Sequence, residues 1–134
     1  MYYVKNRYQT GKKCTVNGVL YDSKFEGNYA GELELRKRMG DIKSWERQVK
    51  IPLVYNGYHI ANYYIDFIVH HNDGRTEYIE CKGYPHEVWK MKWKIFESLY
   101  ADLPDVLLTV IQQKSGAWKI PHARKLKPKY VRPT

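Results

Sequence analysis

The sequence predicts an α/β domain in which a mixed central sheet is flanked by helices and preceded by an N-terminal hairpin. Runs rich in β-branched and aromatic residues alternate with Asn-Gly and Asp-Gly turns, two segments carry apolar residues at helical spacing, and one short run is continuously apolar. The length of 134 residues is that of one domain. We place this domain over residues 1–121 and treat residues 122–134 as a basic, largely irregular C-terminal tail.

The chain is predicted to open with a hairpin and a helix. Asn17-Gly18 favours a type I′ turn, which predicts a hairpin from Lys12 to Tyr21. Ser23 and Glu26 form a capping-box pattern at the start of the helix, and Gly40 is expected to end it. The apolar stripe of this helix is predicted to be Phe25, Tyr29 and Leu33.

Three consecutive strands are predicted next. The first covers Arg47–Val54, and Asn56-Gly57 turns the chain into a long second strand from Tyr58 to about His70. Asn72-Asp73-Gly74 then turns it into a third strand, Thr76–Lys82. Their β-branched and aromatic residues are typical of strands.

A second helix and a final strand complete the predicted core. The helix runs from about His86 to Tyr100, and Val106–Ile111 has the continuous apolar character of a strand buried on both faces. A last short strand is predicted at Ala117–Ile120. The apolar stripe of the second helix is predicted to be Val88, Met91, Ile95 and Leu99. The core order is therefore αβββαβ.

Charge gives the first indication of function. Lys and Arg number 23 against 14 Asp and Glu, so the net charge is +9, which favours an anionic partner such as nucleic acid. The 13 Tyr suit base stacking and a tyrosine-rich sheet surface equally well. No apolar run could span a bilayer, and the first residues lack the apolar core of a secretory signal. We therefore expect a cytoplasmic protein with no membrane partner.

Two acidic residues and a lysine are predicted to meet on one face of a hairpin. If the turn is symmetric about Asp73, the numbers of facing residues add up to 146, so that Asp66 faces Glu80. Lys82 shares the face of Glu80 because side chains alternate along a strand. Opposed carboxylates repel unless a cation lies between them, and Mg²⁺ takes carboxylate oxygens as ligands. The alternative is a solvated surface charge cluster.

These residues resemble a known nuclease motif. Asp66 followed by Glu80-Cys81-Lys82 on the next strand is similar to the motif of the PD-(D/E)XK nuclease superfamily, whose core order the predicted elements share. Residues 11–101 also resemble a family of small, mostly phage-encoded endonuclease-like proteins related to junction-resolving enzymes. The stretches that carry this second resemblance are Gly18–Glu26, Ile65–Phe67, Glu80–Gly83, Lys90–Lys94 and Tyr100.

The resemblance implies a role for each residue of the motif. Asp66 and Glu80 would bind Mg²⁺, with Mn²⁺ as a substitute, and the backbone carbonyl of Cys81 would be a further ligand. Lys82 would orient the attacking water and stabilise charge on the phosphate. Glu26 would complete the catalytic acidic site, directly or through water.

Two positions leave alternatives open. Glu26 could serve only as a helix cap, although its apolar helical neighbours indicate that it faces the sheet. Glu32 is the rival candidate for completing the acidic site, and we prefer Glu26. The residue before Asp66 is Ile65 rather than the Pro that gives the motif its name.

Basic residues outside the motif are candidates for DNA contacts. The lysines on the second helix could equally form a solvated basic face. The basic residues of the tail are expected to extend the phosphate-binding surface, and the tail itself is expected to be dispensable for folding. The candidates are Lys90, Lys92, Lys94, His86, Arg124, Lys125 and Lys127.

Together these observations predict a metal-dependent DNA endonuclease. With no second domain to read a long base sequence, we expect selectivity for branched or junction DNA and a homodimer that cuts two strands. If the protein is phage-encoded, it acts in the host-cell cytoplasm. The alternative is a non-catalytic basic DNA- or RNA-binding module on the same fold.

Overall fold

The structure is a computed structural model that describes residues 14–16, 19–21, 24–113 and 118–126. None of the described helices is both long and apolar enough to span a membrane. In chain order the elements are β1 (Cys14–Val16), β2 (Val19–Tyr21), α1 (Lys24–Arg38), β3 (Ser44–Tyr55), β4 (Tyr58–His70), β5 (Thr76–Lys82), α2 (Glu87–Tyr100) and β6 (Val106–Gln112).

The described strands form the predicted mixed sheet and a separate hairpin. The sheet order is β3-β4-β5-β6, in which β3, β4 and β5 are antiparallel and β6 lies parallel to β5 after the crossover through α2. The αβββαβ core is therefore confirmed. β1 and β2 pair with Val16 opposite Val19, while the predicted turn at Asn17-Gly18 lies outside the described residues.

Helix α1 ends where the sequence predicts. Gly40 has φ +81° and donates its N–H to the Lys37 carbonyl, and the Asp41 N–H bonds the Arg36 carbonyl. This is a Schellman arrangement, in which glycine adopts the left-handed conformation without steric cost. Ser23, the predicted cap, lies outside the described residues.

The two helices cover opposite faces of the sheet. Successive residues of β4, such as Ile68 and Val69, pack into different clusters. The α1-side core consists of Ala30, Leu33, Ile42, Phe67, Val69 and Ile79. The α2-side core consists of Ile51, Leu53, Tyr63, Ile65, Ile68, Trp89, Trp93 and Phe96.

Helix α1 buries a face that only partly matches the predicted stripe. Leu33 is fully buried as predicted, and Tyr29 is half-buried against Phe67, with ring centroids 5.5 Å apart. The remaining buried positions are Glu26, Gly27 and Ala30. Small residues here let the helix lie close to the sheet and place a carboxylate at the interface.

The predicted stripe of α2 is confirmed only in its C-terminal half, where Ile95 and Leu99 pack against the α2-side core. Val88 is 64% and Met91 61% exposed, whereas Trp89, Trp93 and Phe96 are buried. These aromatic residues also recur at helical spacing, and each removes more apolar area from water than an aliphatic side chain does. The helix is therefore rotated to place its aromatic face on the sheet.

The C-terminal part of the chain differs from prediction in two ways. β6 faces a core on both sides, as predicted, since Leu108 and Val110 pack against the α2-side core and Ile111 against the α1-side core, but it is an edge strand and its residues are only half-buried. Residues 118–120 form no strand. Instead the Trp118 carbonyl accepts a bond from Gln112 Nε2 at 3.0 Å, and its ring packs edge-on against Trp89.

The first residues of the tail are bound to α2. Residues 121–126 have no helix or strand, as predicted. His122 Nδ1 lies 2.6 Å from Glu97 Oε2, and the Ala123 N–H donates to Glu97 Oε1 at 2.6 Å.

Candidate active site

The candidate site lies where the pairing of β4 with β5 ends. The predicted register is confirmed over its regular part, since Ile68 faces Tyr78, and the last pair is Phe67 with Ile79. Beyond that pair, Asp66 Oδ2 accepts a hydrogen bond from the Cys81 N–H at 2.8 Å. A side-chain oxygen thus satisfies a backbone donor at the point where the ladder stops.

Side-chain alternation in β4 also changes at Asp66. Regular alternation would place Ile65 and Phe67 on the same face. Ile65 instead packs in the α2-side core and Phe67 in the α1-side core. Asp66 therefore lies at an irregularity that brings its carboxylate between the two faces.

Glu80 is buried beside Asp66 with an unsatisfied oxygen. It is 1% exposed, and its Oε1 is buried without a hydrogen-bond partner among the described residues. Its Oε2 lies 3.8 Å from Lys82 Nζ. Lys82 and the Tyr63 hydroxyl both favour the charged form of this carboxyl group and so oppose the larger effect of burial, which raises its pKa. A buried carboxylate oxygen without a hydrogen-bond donor nevertheless remains costly, because it has lost its contact with water.

The two carboxylates resist ionising together. Burial, followed by the charge of Asp66, raises the pKa of Glu80 well above its ordinary value. Burial also raises the pKa of Asp66, against the opposing influence of Lys82. A cation placed between them would remove this penalty.

Lys82 is held by two different contacts. Besides the approach to Glu80, its Nζ lies 5.0 Å from the centroid of the Trp89 ring, a favourable cation–π distance. Trp89 is fixed in turn by a hydrogen bond from its Nε1 to Tyr63 Oη at 3.2 Å. Lys82 therefore shares the face of Glu80, as predicted, and stays partly exposed.

Glu26 reaches the site through a residue that sequence reasoning missed. Gln48 Nε2 lies 2.8 Å from Glu26 Oε1 and 3.1 Å from Asp66 Oδ1. Glu26 is 7% exposed, whereas Glu32 is exposed on the surface of α1. Of the two rival glutamates, only Glu26 is thus linked to Asp66 by contacts of the described residues.

Gln48 adopts a backbone conformation that is unusual within a strand. Its φ is +50°, although Arg47 and Val49 on either side pair regularly with Phe67 and Ile65. A non-glycine residue in this region costs on the order of 1–3 kcal/mol. Such a cost indicates that the surrounding contacts require this conformation.

Cys81 contributes its backbone to the site. Its N–H binds Asp66, while its half-buried side chain packs against the α1-side core. Burial, with the nearby carboxylates, raises the pKa of the thiol, so it stays protonated. The role of its carbonyl as a metal ligand remains a prediction.

The lysines of α2 differ in their surroundings. Lys90 forms an ion pair with Glu87 at 3.0 Å, and Lys92 Nζ donates to the Asn62 carbonyl of β4 at 2.9 Å. Lys94 is exposed and has no ion-pair partner among residues 24–113 and 118–126. Lys94 is therefore the α2 lysine most available to a phosphate.

The remaining candidates for DNA contacts lie at the ends of α2 and in the tail. Burial, then the charge of Lys82, lowers the pKa of His86, which precedes α2 and lies near the acidic site. Arg124 is exposed, and Lys125 pairs with Asp102 at 2.9 Å. Lys127 lies outside the described residues.

The donor set fits a hard divalent cation. The described residues contain no group of three His, Cys, Asp or Glu side chains arranged around one metal position. Mg²⁺, however, is commonly held by one or two carboxylates, with waters and substrate phosphates completing its coordination. Asp66 and Glu80 supply two such carboxylates, and the unpartnered Glu80 Oε1 is an oxygen that a cation would satisfy.

Comparison with known proteins places the chain in a family. A family model described as "Protein of unknown function (DUF1064)" matches residues 5–115, so the chain belongs to this family. No protein with a curated description matches the chain.

Proposed function

We propose that this member of the DUF1064 family is a divalent-metal-dependent endonuclease that hydrolyses DNA phosphodiester bonds. The observation that carries the proposal is the group formed by Asp66, Glu80 and Lys82. Two adjacent carboxylates, one with a buried unpartnered oxygen, lie beside an ammonium on a protein of net charge +9. The resemblance of these residues to the PD-(D/E)XK motif supports the same function.

Asp66 and Glu80 would hold Mg²⁺, or Mn²⁺ in its place. Following the resemblance, the Cys81 carbonyl would add a ligand and Glu26 would act directly or through water. A bound cation supplies Lewis-acid stabilisation of phosphate charge and lowers the pKa of water.

Lys82 would stabilise the charge that develops on the phosphate. Hydrolysis forms a bond from a water oxygen to phosphorus and breaks a phosphorus–oxygen bond, and the leaving oxygen takes a proton. Lys82 Nζ is restrained by Glu80 Oε2 and by the Trp89 ring, so its ammonium is positioned before DNA binds. Such preorganised charge is a large contribution to phosphoryl-transfer rates.

The substrate we propose is branched or junction DNA. The described residues form one α/β unit, which leaves shape and backbone contacts as the main source of selectivity. Lys94 and Arg124 are exposed basic residues that could contact phosphates. Cutting two strands would need two sites, hence a homodimer, and the cytoplasm is the proposed location, that of the host cell if the protein is phage-encoded.

A cleavage assay tests the proposal. The chelator-treated full chain is incubated with end-labelled four-way junction, linear duplex and single-stranded DNA, with and without Mg²⁺ or Mn²⁺. We expect metal-dependent cleavage, fastest on the junction, and none by the Glu80→Gln variant. DNA binding without cleavage in either metal would overturn the proposal in favour of a non-catalytic DNA-binding module.

A further inference from the structure

Gln48 is the residue whose conformation the fold itself does not explain. Among the described residues, the other non-glycine positions with positive φ are Asn56, in the β3–β4 turn, and Asp105, just before β6. Gln48 instead lies in the middle of β3, between residues that keep regular pairing with β4. No turn requires the left-handed conformation there.

The unusual backbone places an amide between two carboxylates. Gln48 Nε2 has two hydrogens, and the distances of 2.8 Å to Glu26 Oε1 and 3.1 Å to Asp66 Oδ1 allow one bond to each. The other Asp66 oxygen accepts the Cys81 N–H at 2.8 Å. Both oxygens of Asp66 are therefore fixed, which prevents rotation of the carboxylate, and each oxygen keeps a second lone pair.

The neutrality of the amide matters as much as its position. A lysine or arginine at position 48 would neutralise the carboxylates and remove the need for a metal cation. A glutamine orients them by hydrogen bonding and leaves their negative charge in place.

We propose that Gln48 is the positioning residue of the metal site: it holds Asp66 in the orientation that binds a divalent cation, and Glu26 acts by holding Gln48. This inference rests on the proposed function, because it assigns supporting residues to the proposed metal site. It also gives Glu26 a different role from the ligand role that the family resemblance implies. Hydrogen-bonded supports of this kind commonly contribute about 10–100-fold to metal affinity.

Two substitutions of Gln48 separate the amide from the backbone. Gln48→Gly removes the amide and tolerates positive φ, whereas Gln48→Ala removes the amide and keeps the backbone cost. We expect both variants to bind Mn²⁺ about 10–100-fold more weakly than the wild type. Of the two variants, Gln48→Gly should have the higher melting temperature, because it lacks the backbone cost. Affinity is measured on the chelator-treated full chain without DNA, from the electron paramagnetic resonance signal of free Mn²⁺.

A matched control is available in Gln112→Ala. Gln112 also uses its Nε2 as a donor, at 3.0 Å from the Trp118 carbonyl rather than to a carboxylate. This variant should lose stability and keep the Mn²⁺ affinity of the wild type. Equal weakening by Gln112→Ala and Gln48→Ala would mean that general loosening of the fold is responsible, and would overturn the inference.

Two variants of Glu26 test its part separately. A glutamine oxygen can still accept the Gln48 Nε2–H, so Glu26→Gln should keep Mn²⁺ affinity within about threefold, whereas Glu26→Ala should weaken it about tenfold or more. If Glu26 were itself a ligand, both variants would lose affinity alike, which contradicts the inference.

The outcomes distinguish this inference from the proposed function. Wild-type Mn²⁺ binding that survives in Gln48→Gly overturns the role of Gln48 and leaves the nuclease proposal standing. If the wild type binds no Mn²⁺ and cleaves no DNA, both fail. If it binds Mn²⁺ weakened by Gln48→Gly yet cleaves no DNA, the nuclease proposal alone fails.

Discussion

Strand β5 carries two carboxylates three residues apart whose surroundings are opposite. Both oxygens of Glu77 have partners: His71 Nε2 lies 2.8 Å from Oε1, and the Thr109 hydroxyl donates to Oε2. Glu80 is more deeply buried, lies beside Asp66, and has an oxygen without a partner among the described residues. The same residue type on the same strand is thus satisfied at one end and unsatisfied at the other.

This difference separates a carboxylate that supports the fold from one that is available to a ligand. A buried acceptor without a partner costs about 1–3 kcal/mol, whereas a partnered one contributes favourably. Near the Glu80 end of β5, the pairing of β4 with β5 stops, and Gln48 of β3 adopts the left-handed backbone conformation. These features lower the stability of the metal-free protein, and they are concentrated at the proposed metal site.

The largest expected effect is the loss of cleavage when either proposed ligand is neutralised. Asp66→Asn and Glu80→Gln should each abolish Mg²⁺-dependent cleavage while leaving DNA binding largely intact, because the carboxylates are proposed to hold the cation and not the DNA. Rates on labelled junction DNA and affinities in chelator provide the measurement. Glu77→Gln is the matched control and should cleave at close to the wild-type rate; if it is as inactive as Glu80→Gln, the contrast along β5 has no functional meaning.

Lys82→Ala should lower the cleavage rate by about 10²-fold or more, as expected for loss of one transition-state contact. Both carboxylates remain, so Mn²⁺ should still bind. Single-turnover rates at saturating metal and DNA measure the effect, with Lys37→Ala, in the exposed last turn of α1, as the lysine control. If Lys82→Ala cleaves at the wild-type rate, Lys82 has no role in cleavage and its contact with Glu80 is only a structural ion pair.

The free energy of unfolding without metal should show the same contrast between Glu80 and Glu77. Burial and Asp66 raise the pKa of Glu80 in the folded state, so over the interval between the unfolded and folded pKa values the folded protein binds more protons. The free energy of unfolding therefore falls as pH rises through that interval, and the penalty is absent below the unfolded value of about 4.3. Wild type should gain stability on moderate acidification.

Glu80→Gln should remove this penalty and raise the melting temperature at neutral pH, by about 4 °C for each kcal/mol in a domain of this size. Glu77→Gln should lower it, because the bonds to His71 and Thr109 are disturbed. Thermal unfolding in chelator, followed by circular dichroism at acidic and neutral pH, measures both variants. A Glu80→Gln variant that is less stable than wild type at every pH would contradict the contrast.

The sequence was sufficient to predict the regular part of the β4–β5 pairing and the inward position of Glu26. The turn centred on Asp73 specifies its own register, so the pairing of Ile68 with Tyr78 was confirmed. The inward position of Glu26 also followed from its apolar helical neighbours. Local periodicity and turn chemistry determine these features, and both can be read from adjacent residues.

Gln48 could not be predicted because an irregularity elsewhere determines its position. Next to the Asn56-Gly57 turn, facing residues in β3 and β4 have numbers that add up to 113, but a register shift between Leu53 and Val54 changes the sum to 114. That shift places Gln48 opposite Asp66 rather than Ile65. A polar residue amid the charged start of a predicted strand was the available signal, and nothing local identified the bulge.

The N-terminal half of the buried face of α2 was mispredicted for a different reason. Aliphatic periodicity favoured Val88 and Met91, but Trp89 and Trp93 on the neighbouring face are buried. Two stripes of similar spacing compete in this helix, and the larger apolar area of the aromatic stripe decides between them.

The distinction between paired and available charges also applies to the lysines of α2. Lys90 is paired with Glu87, whereas Lys94 has no ion-pair partner among the described residues. Each phosphate contact contributes about −0.9 to the slope of log affinity against log salt on duplex DNA. Lys94→Ala should therefore flatten the slope by about 0.9, and Lys90→Ala by less. Titrations of labelled DNA at several salt concentrations measure this, and equal slopes for wild type and Lys94→Ala would exclude a phosphate contact.

The smallest effect concerns Glu97, a carboxylate that the tail satisfies. Its side chain is 16% exposed, close to the 18% of Glu77, and its oxygens bind His122 and the Ala123 N–H. Deleting residues 125–134 leaves these bonds in place and removes an exposed ion pair between Lys125 and Asp102, so the melting temperature should stay nearly unchanged.

Deleting residues 122–134 removes both bonds to Glu97, each of which contributes about 0.5–1.5 kcal/mol. We therefore expect this longer truncation to melt a few degrees lower, although the sequence alone predicted that the whole segment is dispensable. Water can reach the partly exposed Glu97, which limits the loss, whereas the unpartnered oxygen of Glu80 is buried in the metal-free protein. If the two truncations melt at the same temperature, the contacts of Glu97 contribute nothing. If the longer one loses as much stability as Glu77→Gln, the tail belongs to the fold as fully as β5 does.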